Sequence, residues 1–181
     1  CTFKNQWPYV KTLAEYIKKR CGLPIVIGGP HATLFPQCIE ESPYIDGVCR
    51  GEGEYALLEY LQAFAKGGNH LQIANFWLRS REEIVKNELQ SLVQDLDELP
   101  LPDYDLFGRE IILNYPAMMF SRGCPYTCTY CCVPALRKIY SGKGKFIRFK
   151  SMERIAEEIR IYIKKFSPPY LAFDDDTFTK N

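Results

Sequence analysis

Ser121-Arg122-Gly123-Cys124-Pro125-Tyr126-Thr127-Cys128-Thr129-Tyr130-Cys131-Cys132 is the stretch on which the reading of this chain turns. Cys124, Cys128 and Cys131 stand at a C-x3-C-x2-C spacing on a segment carrying glycine and proline. Thiolates three and four residues apart converge on one centre when the backbone loops around it, and soft sulfur ligands select zinc or iron–sulfur chemistry. A structural zinc takes four protein ligands, whereas three leave one position open for something that is not protein. Cys132 is the candidate fourth ligand, but neighbouring side chains point apart in a strand or a helix, so three ligands are counted. A zinc knuckle completed by Cys132 or by a distant residue remains the alternative.

Outward from this loop, composition sets bounds. The 181 residues are 46% hydrophobic and 25% charged, which suits one or two globular units. A net charge of +1 supplies no electrostatic footprint for nucleic acid. No apolar run reaches the roughly 18 residues of a membrane helix, and no leader precedes the first element. Eight cysteines, three at metal spacing, fit a reducing, cytoplasmic setting better than a disulfide framework. Cys1, Cys21, Cys38 and Cys49 read as packing residues. The chain opens at Cys1 without methionine and stops at Asn181 just after a strand, so it reads as a fragment of a longer parent.

Upstream, Pro8 to Cys21 forms an amphipathic helix with Val10, Leu13, Ala14, Ile17 and Cys21 on one face, started by Pro8 and stopped by Gly22. Pro24 to Ile27 is a strand buried on both faces and ends at Gly28-Gly29, where a ligand can approach the backbone closely. A further strand spans Ile45–Cys49. It is followed by Gly51-Glu52-Gly53-Glu54 and a helix burying Leu57, Leu58, Leu61, Phe64 and Ala65. Strand and helix in alternation predict a parallel three-layer α/β sandwich of Rossmann type. Residues 73–87 read as a β-hairpin turning near Ser80 to Glu82. Asp95 to Asp105, acidic and twice interrupted by proline, reads as a semi-rigid linker.

Downstream, Arg137, Lys138, Lys143, Lys145, Arg148 and Lys150 read as a solvated basic loop. Ser151 caps a helix with the stripe Met152, Ile155, Ala156, Ile159, Ile163 and Phe166. The last strand, Tyr170 to Phe173, runs into Asp174-Asp175-Asp176, three carboxylates that must be solvated, capped or engaged with a cation.

The cysteine loop resembles the cluster signature of the radical S-adenosylmethionine enzymes, C-x3-C-x-aromatic-C, with Tyr130 in the aromatic slot. Ile27-Gly28-Gly29-Pro30-His31-Ala32-Thr33, Ile45-Asp46-Gly47-Val48 and Gly51-Glu52-Gly53-Glu54 resemble the second half of a cobalamin-binding domain. Phe173 to Phe178 resembles the Phe-x-Asp-Asp-x-Phe segment of the subfamily that carries such a domain. The resemblance implies a 4Fe-4S cluster on Cys124, Cys128 and Cys131, with S-adenosylmethionine on the fourth iron. Asp175 and Asp176 would lie beside its ammonium, with Arg148 as a further contact. Gly28, Gly29, Gly51, Glu52 and Gly53 would lie near cobalamin. His31 would be a loop residue near the ligand and not the lower cobalt ligand.

The implied organisation is a partial Rossmann-like sheet of cobalamin-binding type over 1–70, a hairpin and proline-rich linker over 71–110, and the first strands of a (β/α)6 partial TIM barrel over 111–181. The implied activity is cleavage of S-adenosylmethionine to a 5′-deoxyadenosyl radical, for methyl transfer or a related reaction at an unactivated carbon. An electron donor such as flavodoxin or ferredoxin and a small-molecule or peptide substrate are the implied partners. The isolated fragment would be inactive. Two alternatives are carried: a zinc-binding structural module on Cys124, Cys128, Cys131 and Cys132, and a radical enzyme that has lost cobalamin.

Overall fold

The computed structural model describes residues 3–81 and 83–178. Cys1, read above as a packing residue, and Glu82 of the hairpin turn lie outside them. In chain order the elements are α1 (Trp7–Cys21), β1 (Val26–Ile27), α2 (Pro30–Leu34), β2 (Gly47–Cys49), α3 (Glu54–Ala65), β3 (Phe76–Ser80), β4 (Glu83–Lys86), α4 (Arg109–Asn114), β5 (Ala117–Met118), β6 (Ser121–Arg122), α5 (Val133–Ile139), β7 (Arg148–Phe149), α6 (Met152–Phe166) and β8 (Ala172–Phe173). They fall into two compact units. One comprises the chain up to Ser91 with Pro134–Lys143; the other comprises Leu92–Val133 and the chain from Gly144 onward.

In the first unit the sheet order is β1-β2-β3-β4. β1 and β2 are parallel, while β3 and β4 are antiparallel additions, so the sheet is mixed and not wholly parallel as expected. The expected hairpin is this edge pair. Side chains alternate across the sheet. Val48 packs with Trp7, Ala14, Ala32 and Ile39 on one side, and Cys49 packs with Ala56, Tyr60, Phe76 and Leu78 on the other. Three layers result. β1 is only half-buried, against the expectation of burial on both faces.

The helices correct the predicted faces. α1 buries Trp7 and Ala14, while Leu13 and Cys21 are exposed, because the Trp7 indole anchors the helix by donating to Glu41 Oε2 at 2.7 Å. α3 buries Ala56 and Tyr60 and leaves Leu57, Leu58, Leu61, Phe64 and Ala65 exposed. The apolar stripe of α3 is broader than the sheet it meets. A small residue at 56 allows close approach, and the Tyr60 ring stacks on Phe76 at 5.1 Å, which fixes the rotation of the helix. His31 belongs to α2, which Pro30 starts, and is not a loop residue.

In the second unit β5 pairs in parallel with β8, and α6 lies between them in sequence, a β-α-β arrangement. β6 pairs antiparallel with β7. Met119 and Phe120 separate β5 from β6, so each strand has its own partner. The core joins Ile112, Met118, Phe120, Tyr162 and Phe166. α6 is capped by Ser151 Oγ, which accepts from Arg154 N–H at 3.1 Å. It buries Glu158, Tyr162 and Phe166, half-buries Ile155, Ala156 and Ile159, and exposes Met152 and Ile163, in part against the predicted stripe. Glu158 is turned inward by Lys150, whose Nζ lies 2.7 Å from both carboxylate oxygens. The proline-rich segment is packed down: Leu96 and Leu99 are buried, Asp97 accepts from Ser151 N–H, and Arg154 donates to the Leu99 carbonyl.

Candidate metal centre

β6 delivers the cysteine loop through Gly123, whose φ of +87° lies in the left-handed region. A Cβ there would meet the Phe146 carbonyl oxygen at 2.5 Å, so glycine is required on both counts. The loop is irregular until Val133 opens α5. Cys124 is half-buried, and Cys128, Cys131 and Cys132 are exposed. A turn ties two of them, with Cys131 N–H donating to the Cys128 carbonyl at 3.1 Å. Val133 N–H points at Cys131 Sγ at 3.5 Å. Burial first, then the neighbouring Cys131 and Asp176, push the Cys132 thiol up. Tyr130 is 91% exposed.

Among the described residues, no three His, Cys, Asp or Glu side chains stand close enough to hold one ion. The three thiols share one loop without being gathered. Their chemistry nonetheless suits an iron–sulfur cluster: they are free, accessible, unhindered by regular backbone, and three in number.

The run after β8 lies against the start of this loop. Thr177 Oγ1 donates to Cys124 Sγ at 3.0 Å. Asp175 Oδ1 accepts from Phe120 N–H at 3.0 Å and from Ser121 Oγ at 2.5 Å, while its Oδ2 is buried without a partner. Asp174 accepts from the Tyr115 hydroxyl at 2.7 Å, a bond that raises the tyrosine pKa. Asp176 is exposed. The three carboxylates, equivalent in sequence, are thus held differently. Asp175 also lines a cavity of about 240 Å³ walled by Phe120, Phe149, Phe173 and Phe178, with Lys150 at its edge.

Arg148 is buried, its Nη1 donating to the Val93 carbonyl at 2.6 Å and its Nε to the Phe146 carbonyl at 3.4 Å. Lys143 likewise donates to the Leu89 carbonyl at 2.6 Å. The basic segment is therefore not simply solvated: Lys143 and Arg148 close backbone carbonyls.

In the first unit, Gly28 follows β1, and Gly29, at φ +104°, precedes α2. The Gly51–Gly53 loop is tied down from within: Gly51 N–H donates to Thr33 Oγ1 at 2.8 Å, Glu52 N–H to the Tyr140 hydroxyl at 3.1 Å, and Asn75 Nδ2 to the Glu52 carbonyl at 2.8 Å. His31 stacks between Trp7 and Phe35 at 5.4 and 5.7 Å, with Nε2 buried and unpartnered. Sequence reasoning passed over Thr177, Ser121 and Tyr140. For Thr177 a signal existed in its place directly after the acidic run; for Tyr140 there was none.

No family model matches the chain. An uncharacterized methyltransferase of Pyrococcus horikoshii is 35% identical over 162 residues, covering 87% of this chain and 34% of that protein. The anaerobic magnesium-protoporphyrin IX monomethyl ester cyclase of Rubrivivax gelatinosus is 25% identical over 162 residues, covering 83% and 28%. The cobalamin-dependent radical SAM methyltransferase TokK of Streptomyces tokunonensis is 30% identical over 132 residues, covering 66% and 19%. Among solved structures, the radical S-adenosylmethionine methyltransferase TsrM of Kitasatospora setae, with cobalamin and a [4Fe-4S] cluster bound, superposes with a TM-score of 0.68 at 15% identity, over 96% of this chain and 34% of that one. The chain thus spans about a third or less of the length of these curated relatives.

Proposed function

We propose a function from one premise: the chain belongs to the radical S-adenosylmethionine enzymes of the cobalamin-binding-domain subfamily. Its second unit is the part that holds a 4Fe-4S cluster and S-adenosylmethionine, and its first unit is part of the cobalamin-binding domain. The observation that carries this reading is the placement of three free thiols on one loop, with the Thr177 hydroxyl and the Asp175 carboxylate of the β8 end against that loop's start. Cys124, Cys128 and Cys131 are the residues that would ligate iron. When bound, the cluster and S-adenosylmethionine supply one-electron cleavage of a carbon–sulfur bond to a 5′-deoxyadenosyl radical, and cobalamin supplies a methyl carrier.

The residues of this chain orient and shield. Asp176 is the carboxylate best placed for a cofactor ammonium, because Asp174 and Asp175 already accept hydrogen bonds. Arg148 fixes the backbone beneath the loop through the Val93 and Phe146 carbonyls. Gly28 and Gly29 offer backbone without side chains on the cobalamin side, whereas the space beside Gly51 is filled by the Tyr140 hydroxyl. The β5-α6-β8 unit supports the reading of this region as the start of a partial barrel. Methyl transfer is the favoured outcome, given the methyltransferase relatives. Ring formation is the second reading, favoured by the cyclase relative. A low-potential one-electron carrier such as flavodoxin or ferredoxin would supply the electron, and a small molecule or peptide would be the substrate.

Iron, acid-labile sulfide and corrin in the anaerobically purified full-length parent test the assignment, with Cys128→Ala alongside. About four irons and four sulfides, lost in the variant, are expected. One zinc without sulfide sinks the proposal in favour of a structural module. Iron and sulfide without corrin leave a radical enzyme that has dispensed with cobalamin.

A further inference from the structure

Thr177 Oγ1 donates a hydrogen bond to a sulfur of the C-x3-C-x2-C set, at 3.0 Å from Cys124 Sγ. Its position is not left to the loop. Two residues earlier, Asp175 Oδ1 grips Phe120 N–H and the Ser121 hydroxyl, which fastens the end of β8 to the point where β5 gives way to β6. Gly123, in contact range of the Phe146 carbonyl, fixes the backbone immediately before Cys124. Donor and acceptor are therefore each anchored within two residues.

We propose that Thr177 tunes the cluster, its hydroxyl donating to the Cys124 thiolate and raising the cluster's reduction potential. This rests on the cluster reading above. Reduction adds one electron from a low-potential carrier, and the extra negative charge is shared onto the sulfurs. A hydrogen-bond donor aimed at one of them stabilises the reduced form more than the oxidised form, and such bonds are among the determinants of iron–sulfur potentials. Bonds to charged acceptors are the strong ones, so the effect should be measurable from a single hydroxyl.

The test is a redox titration followed by electron paramagnetic resonance on the full-length parent, anaerobically loaded, as native, Thr177→Val and Thr177→Ser forms. Valine keeps the shape and removes the donor; serine keeps the donor. The expected result is a roughly tenfold fall in the reduction equilibrium constant for Thr177→Val, about 59 mV for one electron, with Thr177→Ser within threefold of native. In deuterium oxide, an exchangeable deuteron coupled to the cluster should be seen in the native and serine forms and be missing from the valine form. A fully loaded Thr177→Val that titrates with the native protein overturns the inference. So does a serine form that loses iron while the valine form keeps it, since the contact is then one of packing. A native parent without iron and sulfide overturns the cluster reading itself, and is recognised before any variant is compared.

Discussion

Replacing Gly123 with alanine should open the base of the cysteine loop, and two separable costs can be assigned. The backbone at φ +87° sits in the left-handed region, which costs an L-residue about 1–2 kcal/mol. The added Cβ would also stand 2.5 Å from the Phe146 oxygen, 2.9 Å from its Cδ1 and 3.1 Å from its carbonyl carbon. The ring can turn away; the carbonyl cannot do so cheaply. Two residues on, Arg148 is buried and paired with Arg122, and one residue earlier Lys145 N–H is bonded to Gln94 Oε1. Forcing an extra methyl into such a place costs about 1–3 kcal/mol, for a total near 2–5 kcal/mol. Gly142→Ala is the control: its φ is +77° but nothing lies within 4 Å, so only the backbone cost applies. Peptide-resolved hydrogen exchange of the full-length protein reads the local opening. At 2 kcal/mol, residues 117–133 and 144–150 should exchange about 30-fold faster in Gly123→Ala. Exchange within threefold of native would refute the claim that the Phe146 carbonyl and the left-handed backbone hold this loop.

Asp175→Ala should cost about 3 kcal/mol in thermal unfolding, since two donors lose a charged acceptor, whereas Asp176→Asn should shift stability by less than about 0.5 kcal/mol and instead weaken S-adenosylmethionine binding by calorimetry; the reverse pattern would exchange the two roles. Glu158→Ala should cost about 3 kcal/mol because it strands the Lys150 ammonium in a largely buried place, and a near-neutral unfolding midpoint would contradict that. Burial pushes the Cys38 and Cys49 thiols up to about 11, so at pH 8 only about one in a thousand is thiolate. Native-state alkylation mapped by mass spectrometry should spare both while modifying exposed Cys21. Their labelling should rise with pH as the thiolate fraction grows, and rapid modification at pH 8 would contradict the burial.

What could be read from the sequence depended on whether the signal was local. The α1 and α6 spans, the hairpin and the Ser151 cap followed from periodicity, caps and turns, each set within a few residues. Helix rotation did not. In α3 the apolar positions cover more than half the circumference, so the buried line is chosen by the partner surface, and Tyr60 stacking on Phe76 selects it. Glu158 could not be predicted inside from its own helix alone, because its pair with Arg154 is completed by Lys150 beside β7. The mixed sheet escaped for the same cause: β3 reads as a strand, but pairing antiparallel to β2 is a long-range choice.

The acidic run shows how far partners, more than residue types, decide a site. Three aspartates in succession offer the sequence no means of ranking them. Once β5 and β8 pair, Tyr115 falls opposite Asp174 and Phe120 and Ser121 fall opposite Asp175, and each carboxylate acquires its donors. Asp176 is left outward, and Thr177 comes back to Cys124. One strand pairing thus separates the run into a surface tie, a buried latch, an exposed carboxylate and a sulfur-directed hydroxyl. Consecutive residues receive different duties because the chain leaves the strand there and each side chain meets a different neighbour. A register slip of one residue between β5 and β8 would reassign all four at once. The pairing of Ala117 with Ala172 and of Met118 with Phe173 is therefore as much a part of the site as the cysteines are.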